Sequence, residues 1–386
     1  MRLANRLGKN VPYLAMQLRK KISAARAKGI DVISLAVGDP FEPTPEPIIQ
    51  ELIHQVKKPE NHHYPDDERG LPEFRYTLAD WYEKRYNVKL NPDNEILALI
   101  GTKEGCFHFA QALVNPGDIV LMTDPGYPAY KASIYLSGGE PYYVPITKDN
   151  NFLPRLEDIP SEVAKKAVAF YLNYPNNPTG AVANKEFFRD VVRFAKEYDI
   201  AICHDNAYSE IVFGDTERLS FLSIEGAKEV GIEFNSLSKT FNMTGWRIGA
   251  AVGNSELIAG ISGIKENVDA GIFHPIQYAA IAALTECQDN IPKMIKIHER
   301  RKKIVVDTFN SKGWNYTPPR GTIYLWMPTP EGVSSIDFAD KIFNEAAVVI
   351  TPGISYGEHG EGYFRVSPTL SDEKLIEAMQ RIAKIL

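Results

Sequence analysis

Short apolar runs that alternate with helical spacing constrain the fold of this chain most. The runs cover residues 95–100, 118–123, 167–172 and 200–204, with shorter ones at 231–235 and 248–252. Helical spacing fills 103–114 and 184–198. Runs this short and this uniformly apolar suit strands covered on both faces, and the helices between them supply crossovers. The expectation is an α/β fold with a mainly parallel sheet flanked by helices. Turns punctuate it at Asn115-Pro-Gly117, Asp124-Pro-Gly-Tyr-Pro128 and Asn173-Tyr-Pro-Asn-Asn-Pro-Thr-Gly180. Ligands of such sheets bind beyond the carboxyl ends of the strands. Thr102, Asn177, Asp205 and Lys239 all follow predicted strands, which is a physical reason to group them.

The last hundred residues change character. A long charged helix pattern at 292–310 leads to runs at 323–327, 348–351 and 363–367, with helices at 336–345 and 371–386. This reads as a separate, smaller α+β domain. The expected division is 1–45 as an N-terminal arm and part of the small domain, 46–288 as the large domain, and 289–386 as the small C-terminal domain. The cluster Arg300-Arg-Lys-Lys303 is read as a solvated helix face.

Composition excludes some functions. With 386 residues and a net charge of -6, the chain can bury a large core and lacks the basic balance of a general nucleic-acid binder. Cys106, Cys203 and Cys287 share no CxxC spacing, which suggests reduced thiols in the cytoplasm. Apolar runs stay too short for a membrane span, and residues 1–21 are mixed and basic, without a signal-peptide core. That stretch is read as an arm or first helix packing on a neighbour. His62 and His63 are adjacent, with no further ligand at metal spacing, so no metal site is expected.

The chemistry concentrates around Lys239, in Asn235-Ser-Leu-Ser-Lys-Thr-Phe-Asn-Met-Thr-Gly-Trp-Arg247. A lysine that forms a Schiff base needs an anchored, partly dehydrated site, and a phosphate-tailed cofactor needs donors such as Ser236, Ser238 and Arg247. Asp205 ends a strand, where a carboxylate could hold a protonated ring nitrogen; an N-cap is the blander reading. Tyr208 could donate to a phenolate oxygen, and Tyr127 could stack on a planar ring or simply be a loop aromatic. Asn177 could be only a turn residue. Gly101-Thr-Lys-Glu-Gly105 opens a helix after a strand, a favourable phosphate position. Arg365 could grip a carboxylate or make a surface ion pair.

Taken in order, these segments resemble the class I/II aminotransferases of the aspartate-aminotransferase fold type. The resemblance runs from Val37-Gly-Asp-Pro40 to Phe364-Arg-Val-Ser367. It implies a large domain with a seven-stranded sheet, a smaller α+β domain and pyridoxal 5′-phosphate as cofactor. It implies Lys239 as the cofactor-linked lysine and proton carrier. Asp205 pairs with the ring nitrogen, Asn177 and Tyr208 contact the ring oxygen, and Tyr127 stacks on the ring. Thr102, Lys103, Ser236, Ser238 and Arg247 hold the phosphate. Arg365 clamps the substrate carboxylate, with the Gly38 backbone nearby. Tyr64 resembles a tyrosine that reaches the neighbouring subunit's phosphate, which implies a homodimer with shared active sites. Amino acids and 2-oxo acids are the implied substrates.

Several segments further resemble the bacterial and archaeal LL-diaminopimelate aminotransferases, among them Cys203-His-Asp-Asn-Ala-Tyr-Ser-Glu210 and Gly271-Ile-Phe-His-Pro-Ile-Gln277. That subgroup exchanges an amino group between glutamate and tetrahydrodipicolinate in lysine synthesis. The segment Tyr64-Pro-Asp-Asp-Glu-Arg-Gly70 reads one residue longer than the subgroup pattern. Glu68 is the candidate acid for the distal amine, with Asp66 or Asp67 as alternatives. Without that contact, alanine, aspartate or aromatic specificity becomes the better reading. A C–S lyase is a further alternative. A cofactor-binding DNA regulator is disfavoured, because no spare ~60–70 residues precede the fold.

Overall fold

The structure is a computed structural model and describes residues 4–8 and 14–386. The expectation for residues 1–21 falls partly outside that set; within it, a helix forms over Leu14–Ala27.

Among the described residues, twelve strands follow in chain order. They are β1 (Ile33–Ser34), β2 (Ile96–Leu99), β3 (Ile119–Asp124), β4 (Glu140–Pro145), β5 (Ala167–Leu172) and β6 (Ala201–Asp205). Then come β7 (Gly231–Ser236), β8 (Gly249–Gly253), β9 (Leu325–Pro328), β10 (Val348–Val349), β11 (Thr351–Pro352) and β12 (Tyr363–Val366). Seven of them form one sheet in the order β2-β8-β7-β6-β5-β3-β4. β3, β4, β5, β6 and β7 pair in parallel, while β8 runs antiparallel to both of its neighbours. The sheet is mainly parallel, as the alternating pattern predicts.

Burial explains why its strands were legible. Every residue of β2, β7 and β8 is buried. One face packs on Phe170, Leu172, Phe188 and Ile202, the other on Phe109, Tyr171, Cys203 and Phe234. Two-sided burial selects apolar residues at successive positions. β4 escaped the sequence reading because, unlike the buried edge strand β2, it is an edge strand left partly exposed, with a proline near each end. Edge strands tolerate proline and need fewer apolar residues.

A second core gathers Leu35 and Ile33 with Phe309, Phe338, Phe364 and Leu375. The N-terminal segment joins it through β1, which pairs with β10, and through the Leu35 carbonyl, which accepts from the Ser367 amide at 2.7 Å. β9, β11 and β12 form a three-stranded antiparallel sheet beside it.

The charged helix Asn290–Asn310 corrects one expectation. Arg300 and Lys303 face solvent, but Arg301 and Lys302 are buried, at 2% and 3% exposure. Arg301 spans Glu42 and Asp372. The Lys302 ammonium donates to the Gly321 carbonyl at 3.0 Å and lies 4.1 Å from the centre of the Phe213 ring. Four consecutive charges cannot share one helix face; the 3.6-residue period turns two of them inward.

Candidate active site

A cavity of about 290 Å³ opens beyond the carboxyl ends of the parallel strands. Gly38, Thr102, Lys103, Tyr127, Asn177, Asp205, Tyr208, Ser236, Ser238, Lys239, Arg247 and Arg365 all line it. Residues up to 327 positions apart in sequence (38 against 365) therefore meet in one space. The topology brings them together: β5, β6 and β7 all end at this rim, and β11 and β12 bring the second core against it.

Lys239 sits on a four-residue helix, Leu237–Thr240, directly after β7. Its ammonium donates to the Gly38 carbonyl. Burial lowers its pKa to about 8, and the Arg365 and Arg247 cations push the same way against the opposing Asp39. A buried amine this close to neutrality can release and accept protons near physiological pH.

Asp205 ends β6 and is 5% exposed. Burial raises its pKa, opposed by the hydrogen bond that its Oδ2 accepts from the Tyr130 hydroxyl at 2.8 Å. Its Oδ1 is buried with no hydrogen-bond partner among the described residues. A carboxylate oxygen left so is costly unless a donor or cation from a ligand completes it. Asn173 fixes the turn next to it, donating to the Asp205 carbonyl at 2.6 Å and accepting from the Asn177 amide at 2.7 Å.

A set of anion donors lies across the cavity. Helix Thr102–Leu113 starts after Gly101, whose φ of 77° favours glycine. Glu104 in its first turn binds back to the Ile100 amide and also accepts from Lys265 at 2.9 Å. The Arg247 guanidinium packs so closely on Gly101 that a Cβ there would lie 2.1 Å from Nη2. Arg247 itself adopts a φ of 55°, a strained conformation for a side-chain-bearing residue, and donates to the Thr244 carbonyl at 2.9 Å.

Opposite, Arg365 is 7% exposed and donates to Asn177 Oδ1 at 2.8 Å and to the Ala36 carbonyl at 2.6 Å. Its guanidinium lies 4.0 Å from the centre of the Tyr324 ring and 5.0 Å from that of Tyr356. This buried setting replaces the surface ion pair that was the alternative reading.

Sequence reasoning missed Tyr130, Asn173 and Tyr324. Tyr130 comes one helical turn after Tyr127, and Asn173 opens the turn already singled out. Tyr324 precedes β9, where Leu325 and Met327 face the second core; the period of two turns Tyr324 the other way.

Tyr64 and Glu68 do not line this cavity. Tyr64 is 85% exposed. Asp67 is spoken for within the chain: both its oxygens accept from Arg69, and Oδ2 also accepts from Arg75 at 2.9 Å. That removes Asp67 from the candidate acids and leaves Glu68 and Asp66.

Known proteins resemble this chain over nearly its whole length. Residues 30–382 match the family described as aminotransferase class I and II. The chain is 49% identical to the LL-diaminopimelate aminotransferase of Moorella thermoacetica, over 100% of this chain and 99% of that one. The substrate-bound structure of BacF from Bacillus subtilis is 36% identical with a TM-score of 0.96, covering 100% of this chain and 98% of that one. A Thermus thermophilus aspartate aminotransferase double mutant is 27% identical with a TM-score of 0.92, covering 100% of both chains.

Proposed function

The chain belongs to the class I and II aminotransferases, which use pyridoxal 5′-phosphate, and from that premise we propose that it is an LL-diaminopimelate:2-oxoglutarate aminotransferase acting in the cytoplasm. The observation that carries the substrate is the full-length 49% identity to a relative of that name. Among the described residues no helix is long and apolar enough to cross a membrane.

The residues fit the cofactor. The unpartnered Asp205 Oδ1 suits a protonated ring nitrogen, and Asn177 and Tyr208 stand on the same wall for the ring oxygen. Thr102, Lys103, Ser236, Ser238 and Arg247 supply donors and positive charge for the phosphate, and Tyr127 supplies a ring to stack on. Bound pyridoxal phosphate would supply a cationic ring that accepts the electron pair left by the departing α-proton.

The chain's own groups do the rest. Asp205 would hold positive charge at the ring nitrogen through its buried Oδ1, which has no hydrogen-bond partner among the described residues. Lys239, buried on the cavity wall, would be the group that takes and carries the substrate's α-proton. Its pKa of about 8 leaves a usable neutral fraction at pH 7. Arg365 receives the α-carboxylate through a guanidinium already oriented by Asn177 and Ala36, and the Gly38 backbone borders the same space. Tyr64, exposed and outside its own cavity, reaches the partner's phosphate in a homodimer, and Glu68 meets the distal amine of the partner's substrate.

The test is turnover of cofactor-loaded enzyme with LL-diaminopimelate and 2-oxoglutarate. Glutamate formation is expected, well above the rate with alanine or aspartate as donor. Faster turnover with either of those donors overturns the substrate reading.

A further inference from the structure

Tyr324 has no role in the reading above, yet three contacts converge on it. Its hydroxyl lies 2.8 Å from the Tyr208 hydroxyl. Its ring sits against the Arg365 guanidinium at 4.0 Å. Its hydroxyl also fills the place of a side chain at position 38, where a Cβ would lie 2.2 Å away. The Gly38 carbonyl is the one that accepts from Lys239. Tyr324 and Tyr208 are 4% and 6% exposed, so bulk water competes little for either hydroxyl.

Counting hydrogens gives the pair a direction. A phenol carries one hydrogen and donates once. If Tyr208 spends its hydrogen on the cofactor's ring oxygen, only Tyr324 can donate in the Tyr208–Tyr324 contact. Donation into the Tyr208 oxygen makes Tyr208 a stronger donor in turn. The Arg365 cation on the face of the Tyr324 ring draws density from that phenol and strengthens its hydroxyl as a donor. Asn177 also touches Arg365, but it acts through its amide and not through Tyr208.

We propose that Tyr324 is a positioning residue that couples the carboxylate clamp at Arg365 to the hydrogen bond Tyr208 makes with the cofactor's ring oxygen. The inference rests on the assignments of Tyr208 and Arg365 given above. Strong donation from Tyr208 stabilises negative charge on the ring oxygen, so the adjacent lysine-linked nitrogen holds its proton less tightly. Removing the Tyr324 hydroxyl weakens that donation and lets the nitrogen keep its proton to higher pH. Removing the ring as well takes the seat from under Arg365.

The experiment compares Tyr324→Phe and Tyr324→Leu with the parent as holoenzymes. The first readout is the pH midpoint of the cofactor's absorbance change without substrate. The second is the dissociation constant of pimelate, a dicarboxylate with no amine to react. Tyr324→Phe should raise the midpoint by about half a unit or more and bind pimelate within about twofold of the parent. Tyr324→Leu should weaken pimelate binding by roughly 3- to 30-fold. A midpoint that stays or falls in Tyr324→Phe overturns the hydrogen-bond direction. Equal pimelate binding by the Phe and Leu variants overturns the link to Arg365. A parent without a lysine-linked absorbance band would remove the site reading beneath, a failure distinct from an unmoved midpoint.

Discussion

Lys239 is the residue on which chemistry and stability pull apart. Its pKa of about 8 in the fold compares with 10.5 for an unburied lysine, chiefly because burial disfavours the charge. The unfolded chain therefore binds this proton more tightly. Below pH 8 the folded state bears the full cost of a buried ammonium, about 3 kcal/mol, and the cost fades as pH rises toward 10.5. In cofactor-free protein, the stability advantage of Lys239→Met over the parent should shrink by about 2–3 kcal/mol between pH 7 and pH 10. Denaturant unfolding at the two pH values reads it, and a constant gap would contradict the burial argument. Arg365→Ala should lower kcat/KM for amino acid donors by roughly thirty- to several-hundred-fold, as expected on losing a buried charge contact. Unchanged kinetics would rule the clamp out. These side chains were legible because their chemistry is rare in combination. Tyr130 and Tyr324 were not, because a tyrosine that supports another residue looks in sequence like any core aromatic.

Elements that meet the site carry their own strain. Gly101 must stay bare because its φ is positive and the Arg247 guanidinium occupies its side-chain space. Gly101→Ala should weaken retention of the cofactor by about tenfold or more, since displacement of a phosphate donor by an ångström is costly. Dialysis followed by reconstitution titration measures this, and unaltered affinity would dissociate Gly101 from phosphate binding. Helix Asn290–Asn310 gives a second test. Burial, with Lys302 and Arg301 beside it, lowers the His298 pKa to about 3. His298 stays neutral when folded and protonates when unfolded, so stability falls as pH drops below 6.5. His298→Gln should remove about 2 kcal/mol of the loss between pH 7 and pH 5. An unchanged acid limb would place a proton on His298 in the fold. This helix was readable in sequence as an element but not in the facing of its charges. Its periodicity announced a helix, but only tertiary contacts with Glu42, Asp372 and Gly321 decide which cations turn inward. β4 was missed for the converse reason: a partly exposed edge strand asks little of its residues.

At the scale of the molecule, two cores press a shared cavity between them, and the N-terminal segment crosses from one to the other. The alternation of strands and helices made the main sheet legible. The pairing of β1 with β10 was not, because two-residue strands more than 300 positions apart leave no local signal. The site was legible as a group because strand ends converge on one rim. Tyr64 is exposed and Asp67 is paired within the chain, and the proposed homodimer would give Tyr64 a neighbouring site to reach. Sedimentation should give twice the mass of a 386-residue chain, while a monomer with full activity would exclude shared sites.

The central claim, that these residues move an amino group from LL-diaminopimelate, is tested most directly by a half-reaction. Cofactor-loaded enzyme is mixed separately with LL-diaminopimelate, glutamate, aspartate, alanine and an aromatic amino acid, and loss of the lysine-linked absorbance band is followed with time. Rapid loss with LL-diaminopimelate and glutamate is the expected result. Rapid loss with alanine, aspartate or the aromatic amino acid, and none with LL-diaminopimelate, would contradict it.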